Sequence, residues 1–260
     1  MTNELDFGIA LARQAGTMMK HAIGIGMKKD WKPGSSVVTE TDIAINGLVI
    51  EKIRTAFPDH AVLGEEISLK VDGSTFTWVC DPVDGTLPFS RGIPISTFSL
   101  ALVENGVPIL GVIFDPFSDR LFTAETGSGT YLNGQPVRVS TTATLDRAHI
   151  DIEGKVVVGM MEPMLDAGAK VTKFYCITCP GVLVTCGEFD AAIFSGGYAW
   201  DVAALKILVE EAGGKVTDIE GNEQRYDQKL NGGIVSNGLL NATLLPLAKA
   251  AIKAYSISHQ

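Results

Sequence analysis

TWVCDPVDGTLPFSRGIP, residues 77–94, is an apolar run that ends in charge. The run up to Cys80 reads as a buried strand. The six residues after it, Asp81-Pro82-Val83-Asp84-Gly85-Thr86, form a tight loop with two carboxylates, a glycine and a hydroxyl. Pro82 confines Asp81 to extended backbone and fixes its own φ, so both aspartates are held in one defined turn. Such a turn can direct both carboxylates, and the Val83 carbonyl between them, at one point. Hard divalent cations take all-oxygen ligand sets, and magnesium is held by one or two carboxylates together with waters and phosphate oxygens. Gly85 and Thr86 add backbone donors and a hydroxyl suited to an anion or an attacking water. Alone, the six residues read equally as a surface turn, because Asp-Pro and Asp-Gly are ordinary turn dipeptides.

Two further acidic clusters change that reading. Glu65-Glu66 follow the apolar Ala61-Val62-Leu63, and Trp200-Asp201 open an apolar helix. Acids at the ends of three elements are what a multi-metal phosphoryl-transfer site needs. On one reading Asp201 is simply a first-turn residue, where the helix dipole favours an anion.

Around these clusters the chain divides by texture. Leu5, Ile9, Ala12, Met19 and Ile23 recur with helical spacing, and residues 24–34, with Lys28, Lys29, Trp31 and Lys32, read as a loop. A second helix runs to about residue 57, capped by Thr41 or Asp42, with Ile45, Val49 and Ile53 on its buried face. Runs at 96–103, 108–115, 121–125 and 129–132 alternate with turn signals such as Asn105-Gly106 and Asn133-Gly134, the pattern of an antiparallel meander. Beyond it the pattern predicts strands at 156–159, 191–194 and 215–217 and helices at 200–212 and 239–255. The fold class expected is α+β followed by α/β. Residues 1–145 form an α+β lobe carrying most of the candidate ligands, and residues 146–260 a smaller α/β lobe carrying Asp201 and the substrate-reading residues.

At 260 residues, with 46% hydrophobic and 20% charged residues, the composition is that of a globular protein. The formal charge of −9, without a basic block, argues against nucleic acid or an anionic membrane as partner. Acids near the N-terminus do not suit a secretion signal, and no apolar run approaches the ~18 residues of a membrane span, so a cytoplasmic location is expected. The four cysteines are expected as reduced thiols. Cys176-x-x-Cys179 reads better as buried small residues at a helix start than as a zinc site, since His21, His60, His149 and His259 make no zinc pattern with it.

The segments VVTETD (37–42), LGEE (63–66), WVCDPVDGT (78–86) and WDVAALKILVEEAGGKVTD (200–218) together resemble the inositol monophosphatase family of magnesium-dependent, lithium-sensitive phosphatases. The resemblance covers nearly the whole chain. It implies a layered αβαβα sandwich, a homodimer, a small phosphorylated metabolite as substrate, and two or three Mg2+ ions. Glu65, Asp81 and the Val83 carbonyl would hold one ion, and Asp81, Asp84 and Asp201 a second, about 3.5 to 4 Å away. Asp42 would reach a third through water. Glu65 and Thr86, as a pair, would orient and deprotonate the attacking water. Asp84, Gly85, Thr86 and Asp201 would meet the phosphate and substrate, with amides of Gly85 and Thr86 at a short helix N-terminus.

The substrate half departs from the family pattern. Leu87-Pro88-Phe89 stands where many members have Thr-Asn-Phe, and Tyr175-Cys176-Ile177-Thr178-Cys179-Pro180 where a Gly-Ser-Ala-Ala run and an Asp are usual. Phe194 takes the place of a Glu that contacts inositol hydroxyls. Inositol specificity is therefore doubtful. Histidinol phosphate, fructose 1,6-bisphosphate and adenosine 3',5'-bisphosphate are the alternative substrates, and a non-catalytic regulatory relative is the alternative of a different class.

Overall fold

The computed structural model describes residues 2–25, 28–31 and 37–258; Lys32 and His259 lie outside that set. Helix α1 (Asn3–Ile25) leads into a small hairpin, β1 (Lys29–Trp31) and β2 (Val37–Thr39), which feeds α2 (Glu40–Ala56). Next come β3 (Ala61–Gly64), β4 (Phe76–Asp84), the one-turn helix α3 (Thr86–Phe89), β5 (Thr97–Glu104), β6 (Val107–Asp115), β7 (Arg120–Glu125), β8 (Thr130–Leu132) and β9 (Gln135–Val137). Strands β3 to β9 form a seven-stranded sheet in sequence order. Only the β3–β4 pair is parallel; the rest is the expected meander.

The second sheet has five strands in the order β11-β10-β12-β14-β13: β10 (His149–Gly154), β11 (Lys170–Thr172), β12 (Ala191–Ser195), β13 (Lys215–Thr217) and β14 (Gly233–Ser236). Its helices are α4 (Val157–Asp166), α5 (Thr178–Thr185), α6 (Ala199–Glu211) and α7 (Asn241–Ser258). One correction concerns residues 156–159, expected as a strand. The β-branched run Val156-Val157-Val158 suggests extended chain, but Val156, Met160 and Met164 are buried together at i, i+4, i+8, so the segment is helix α4. Gly159 lets α4 lie against α7, since a Cβ there would come within 2.6 Å of Ala251. The strand is the preceding segment, whose Ile150 and Ile152 share a face.

Side-chain burial defines five layers. Leu11, Ala15, Ile45, Val49 and Ile53 of α1 and α2 pack on one face of the large sheet with Trp78, Leu100 and Val112. Val182 and Val184 of α5 and Val202, Leu205 and Leu208 of α6 lie between the sheets, against Val79, Ala101 and Ile113 on one side and Ala192, Phe194 and Val235 on the other. Met160, Met164, Leu244 and Ala248 cover the outer face of the small sheet. The result is the αβαβα sandwich. Helix α6 is apolar nearly all round because it is sandwiched, and it approaches the large sheet closely at Gly111, where a Cβ would be 2.7 Å from Ile207.

Candidate metal and phosphate site

Alternation along β4 would send Asp81 and Asp84, three residues apart, to opposite faces. A β-bulge prevents this. Asp81 pairs with Ser99 and Asp84 with Thr97, three steps against two, and the extra residue rotates the strand. Val83 therefore points into the α1–α2 core, while Asp84 joins Asp81 on the side of α5 and α6. Asp81 Oδ1 accepts the Val83 amide at 2.9 Å, which fixes the bulge from within. Pro82 sits where no ladder donor is required. Gly85 follows with φ +81, and a Cβ there would be 2.8 Å from the Ile95 carbonyl, so only glycine fits.

Asp201 arrives from the other side of the cleft. It is the third residue of α6, and its Oδ2 accepts the Tyr198 amide at 2.6 Å. Asp81, Asp84 and Asp201 are all buried, and each offers an oxygen within 4.8 Å of the others. Glu65 borders the same cleft, of about 370 Å3, on the loop after β3. That loop is pinned by Asn46, a fully buried residue of α2 whose amide accepts from the Glu66 and Ile67 N–H groups at 3.2 and 3.3 Å and donates to the Ile67 carbonyl at 2.9 Å.

Asp42 behaves differently from the expected cap. Thr39 is the N-cap of α2, and Asp42, three residues in, reaches back to accept the Thr39 amide at 3.0 Å. Its other oxygen accepts Thr86 Oγ1 at 3.1 Å. Thr86 Oγ1 also lies 3.0 Å from the Val83 carbonyl, so the hydroxyl is held between Asp42 and the bulge. Burial, opposed by the Thr39 hydrogen bonds, lifts the Asp42 carboxyl to about 6.

Four donors of the segment that departs from the family pattern converge on Asp84 Oδ2: Cys176 Sγ at 3.1 Å, the Ile177 amide at 2.9 Å, and the amide and hydroxyl of Thr178, each at 2.5 Å. A carboxylate held in this way keeps its second oxygen for another partner. Cys176 is thus more than a small buried residue, because it donates to a candidate metal ligand.

Burial is the main reason that Asp81 and Asp201 are pushed well up in pKa, and the neighbouring carboxylates add to it. The described lining of the cleft has five carboxylates, Glu65, Asp81, Asp84, Glu153 and Asp201, and no lysine or arginine. Such a donor set is hard, anionic and crowded, which fits divalent cations of the magnesium type.

One acidic lining residue, Glu153, escaped the sequence reading, and Tyr175 was legible only as part of the segment that departs from the family pattern. Glu153, the last residue but one of β10, lines the cleft, and Tyr175 lines it too, with φ +57. Acid at the end of the alternating run Ile150-Asp151-Ile152-Glu153 was the available signal for the first. Nothing in the sequence marks the left-handed backbone of Tyr175.

A five-layer αβαβα sandwich thus brings clustered carboxylates from a bulged strand and a helix start to one place, where they could hold a metal ion. The inositol monophosphatase family model matches residues 1–253, and the chain belongs to that family of phosphatases. It is 33% identical over 259 residues to the fructose-1,6-bisphosphatase/inositol-1-monophosphatase of Thermotoga maritima, covering 96% of this chain and 98% of that one. It is 34% identical over 206 residues to the Nus factor SuhB of Xylella fastidiosa, covering 74% and 72%. Among solved structures, the Thermotoga maritima IMPase superposes with a TM-score of 0.91 at 31% identity, over 98% of this chain and 100% of that one. Among the described residues, no helix is long and apolar enough to cross a membrane.

Proposed function

We propose that the protein is a magnesium-dependent phosphomonoesterase acting on a small phosphorylated metabolite. The carrying observation is the convergence of Asp81, Asp84 and Asp201 oxygens within 4.8 Å, at a buried place bordered by Glu65. Glu65, Asp81, the Val83 carbonyl, Asp84 and Asp201 are the ligand set, with Asp42 close enough through Thr86 to serve a further ion by way of water. When bound, Mg2+ supplies charge neutralisation, polarises the phosphoryl group and brings a water's pKa toward neutrality.

The chain's own residues do the rest. The Gly85 and Thr86 amides open α3 and receive the phosphate. Thr86 Oγ1 has a single proton to give, to Asp42 or to the Val83 carbonyl, so its lone pairs accept a proton from the attacking water while Asp42 takes the one Thr86 releases. Glu65 orients that water. No histidine or cysteine nucleophile is needed, because positioning and electrostatics dominate phosphoryl transfer.

Phosphate release from inositol 1-phosphate, histidinol phosphate, fructose 1,6-bisphosphate and adenosine 3',5'-bisphosphate, with and without Mg2+, tests the proposal. Turnover of none of them would reject it. Inhibition by lithium and a homodimer by light scattering are expected. The fructose-1,6-bisphosphatase name of one relative makes the sugar bisphosphate the second substrate to examine. The Nus-factor name of the other supports a regulatory reading, under which calorimetry would detect weak magnesium binding or none.

A further inference from the structure

Glu153 stands in the cleft without a part in the metal site. It is the last residue but one of β10, and in the parallel pairing of β10 with β12 its register partner is Phe194. Paired residues share a face, and both line the cleft, beside Gly154 and Ser195. The carboxylate is half-buried and held at two points. One oxygen accepts the Tyr175 amide, and the other lies 3.8 Å from the Lys173 ammonium, which itself sits 4.5 Å over the Tyr175 ring. Tyr175 takes a left-handed φ of +57 to donate that bond, a conformation unfavourable for a bulky side chain and one that recurs at ligand clamps.

The same four residues therefore join two carboxylates. Tyr175 holds Glu153, while Cys176, Ile177 and Thr178 hold Asp84. Glu153 is thereby placed at a set offset from the candidate phosphate site, and the charge of Asp84 is among those that reach it. An ionised carboxylate has about four acceptor sites, and the contacts named here use only part of them.

Resting on the phosphatase reading, we infer that Glu153 is the specificity-determining residue that reads hydroxyl groups on the leaving alcohol. Phe194 offers that alcohol only an apolar face, so the hydrogen-bond acceptor comes from the neighbouring strand. A site built to pair a hydroxyl rejects the analogue without it, because its own polar group is then left unpaired.

Glycerol 2-phosphate and isopropyl phosphate, alike in skeleton and differing in two hydroxyls, are the probes. The readout is the ratio of their kcat/KM values in the magnesium-loaded protein, in which general damage to the fold or metal site cancels. The wild type should favour glycerol 2-phosphate by about 10- to 100-fold. Glu153→Leu should bring the ratio near one, mainly through KM for glycerol 2-phosphate, and Glu153→Gln, which keeps one acceptor oxygen, should fall between. An unchanged ratio in Glu153→Leu would overturn the inference while leaving the phosphatase reading intact. Turnover of neither ester, nor of p-nitrophenyl phosphate, by the wild type with Mg2+ would overturn both.

Discussion

The two walls of the cleft are built on different plans. The acidic wall takes Glu65, Asp81 and Asp84 from strand ends of the large sheet and closes with Asp201 at the start of the buried helix α6. Each of its parts is a short local motif: a bulge, a capping carboxylate, a glycine that no other residue can replace. The opposite wall takes Glu153, Gly154, Phe194 and Ser195 from the small sheet, Gly196 and Gly197 from the turn after β12, and the Tyr175–Ile177 segment from a loop. Its geometry depends on which strands pair and on one unusual backbone angle. Chemistry is thus carried by local sequence, and selectivity by long-range register.

The largest way to break this contrast is Asp84→Asn, which strikes the residue both walls share. Turnover should fall by about 10³-fold, with circular dichroism showing the fold retained; activity within tenfold of wild type would contradict Asp84's place in the ligand set. Next is Asn46→Ala. It removes the acceptor of the partly buried Glu66 and Ile67 N–H bonds from a fully buried position and should cost about 2 kcal/mol in denaturant unfolding. It should also loosen Glu65, so kcat falls as well.

Magnesium itself should stabilise the acidic wall. At 100 times its Kd the ion should raise unfolding free energy by about 2.7 kcal/mol, and a chelator should reverse the gain. In the metal-free protein, Asp81→Asn should be more stable than wild type because one of several mutually repelling buried carboxylates has gone.

The smallest effect belongs behind the opposite wall. Asp151, 1% exposed in β10, accepts Thr172 Oγ1 at 3.0 Å and is pushed up to about 7, chiefly by burial. Below pH ~4 the folded and unfolded chains are both protonated there. Between pH ~4 and ~7 only the unfolded chain ionises, so the folded state binds more protons and stability falls as pH rises, levelling off above ~7. Asp151→Asn should remove that fall, so the variant should gain on the wild type as pH rises from 4 to 8. Urea midpoints across that range would check it, and an unaltered pH slope would exclude the assignment.

The same contrast explains how much was legible in sequence. The Asp-Pro-Val-Asp-Gly-Thr loop, the Gly-Glu-Glu loop and the Trp-Asp helix start could be read because each places its chemistry at the end of an element whose apolar run is unmistakable. The meander was legible from turn dipeptides at regular intervals. Residues 156–159 were misread because three valines outweigh a period that shows only when Met160 and Met164 are counted with Val156. The Asp42–Thr86 hydrogen bond was not legible because the two residues are 44 apart and come near only once α2 docks. Glu153 was missed because its position depends on the parallel pairing of β10 with β12, which no stretch of either strand encodes alone.

The bulge at Pro82-Val83 makes residue count itself a functional quantity. With one residue deleted between the aspartates, the backbone would return to simple alternation, and two acids two apart would share a face without the inward valine that anchors the turn. With one inserted, Asp84 would swing toward α1. Variants that shuffle side chains at these two positions therefore keep a chance of activity, whereas any change of length there forfeits it, whatever residues are chosen.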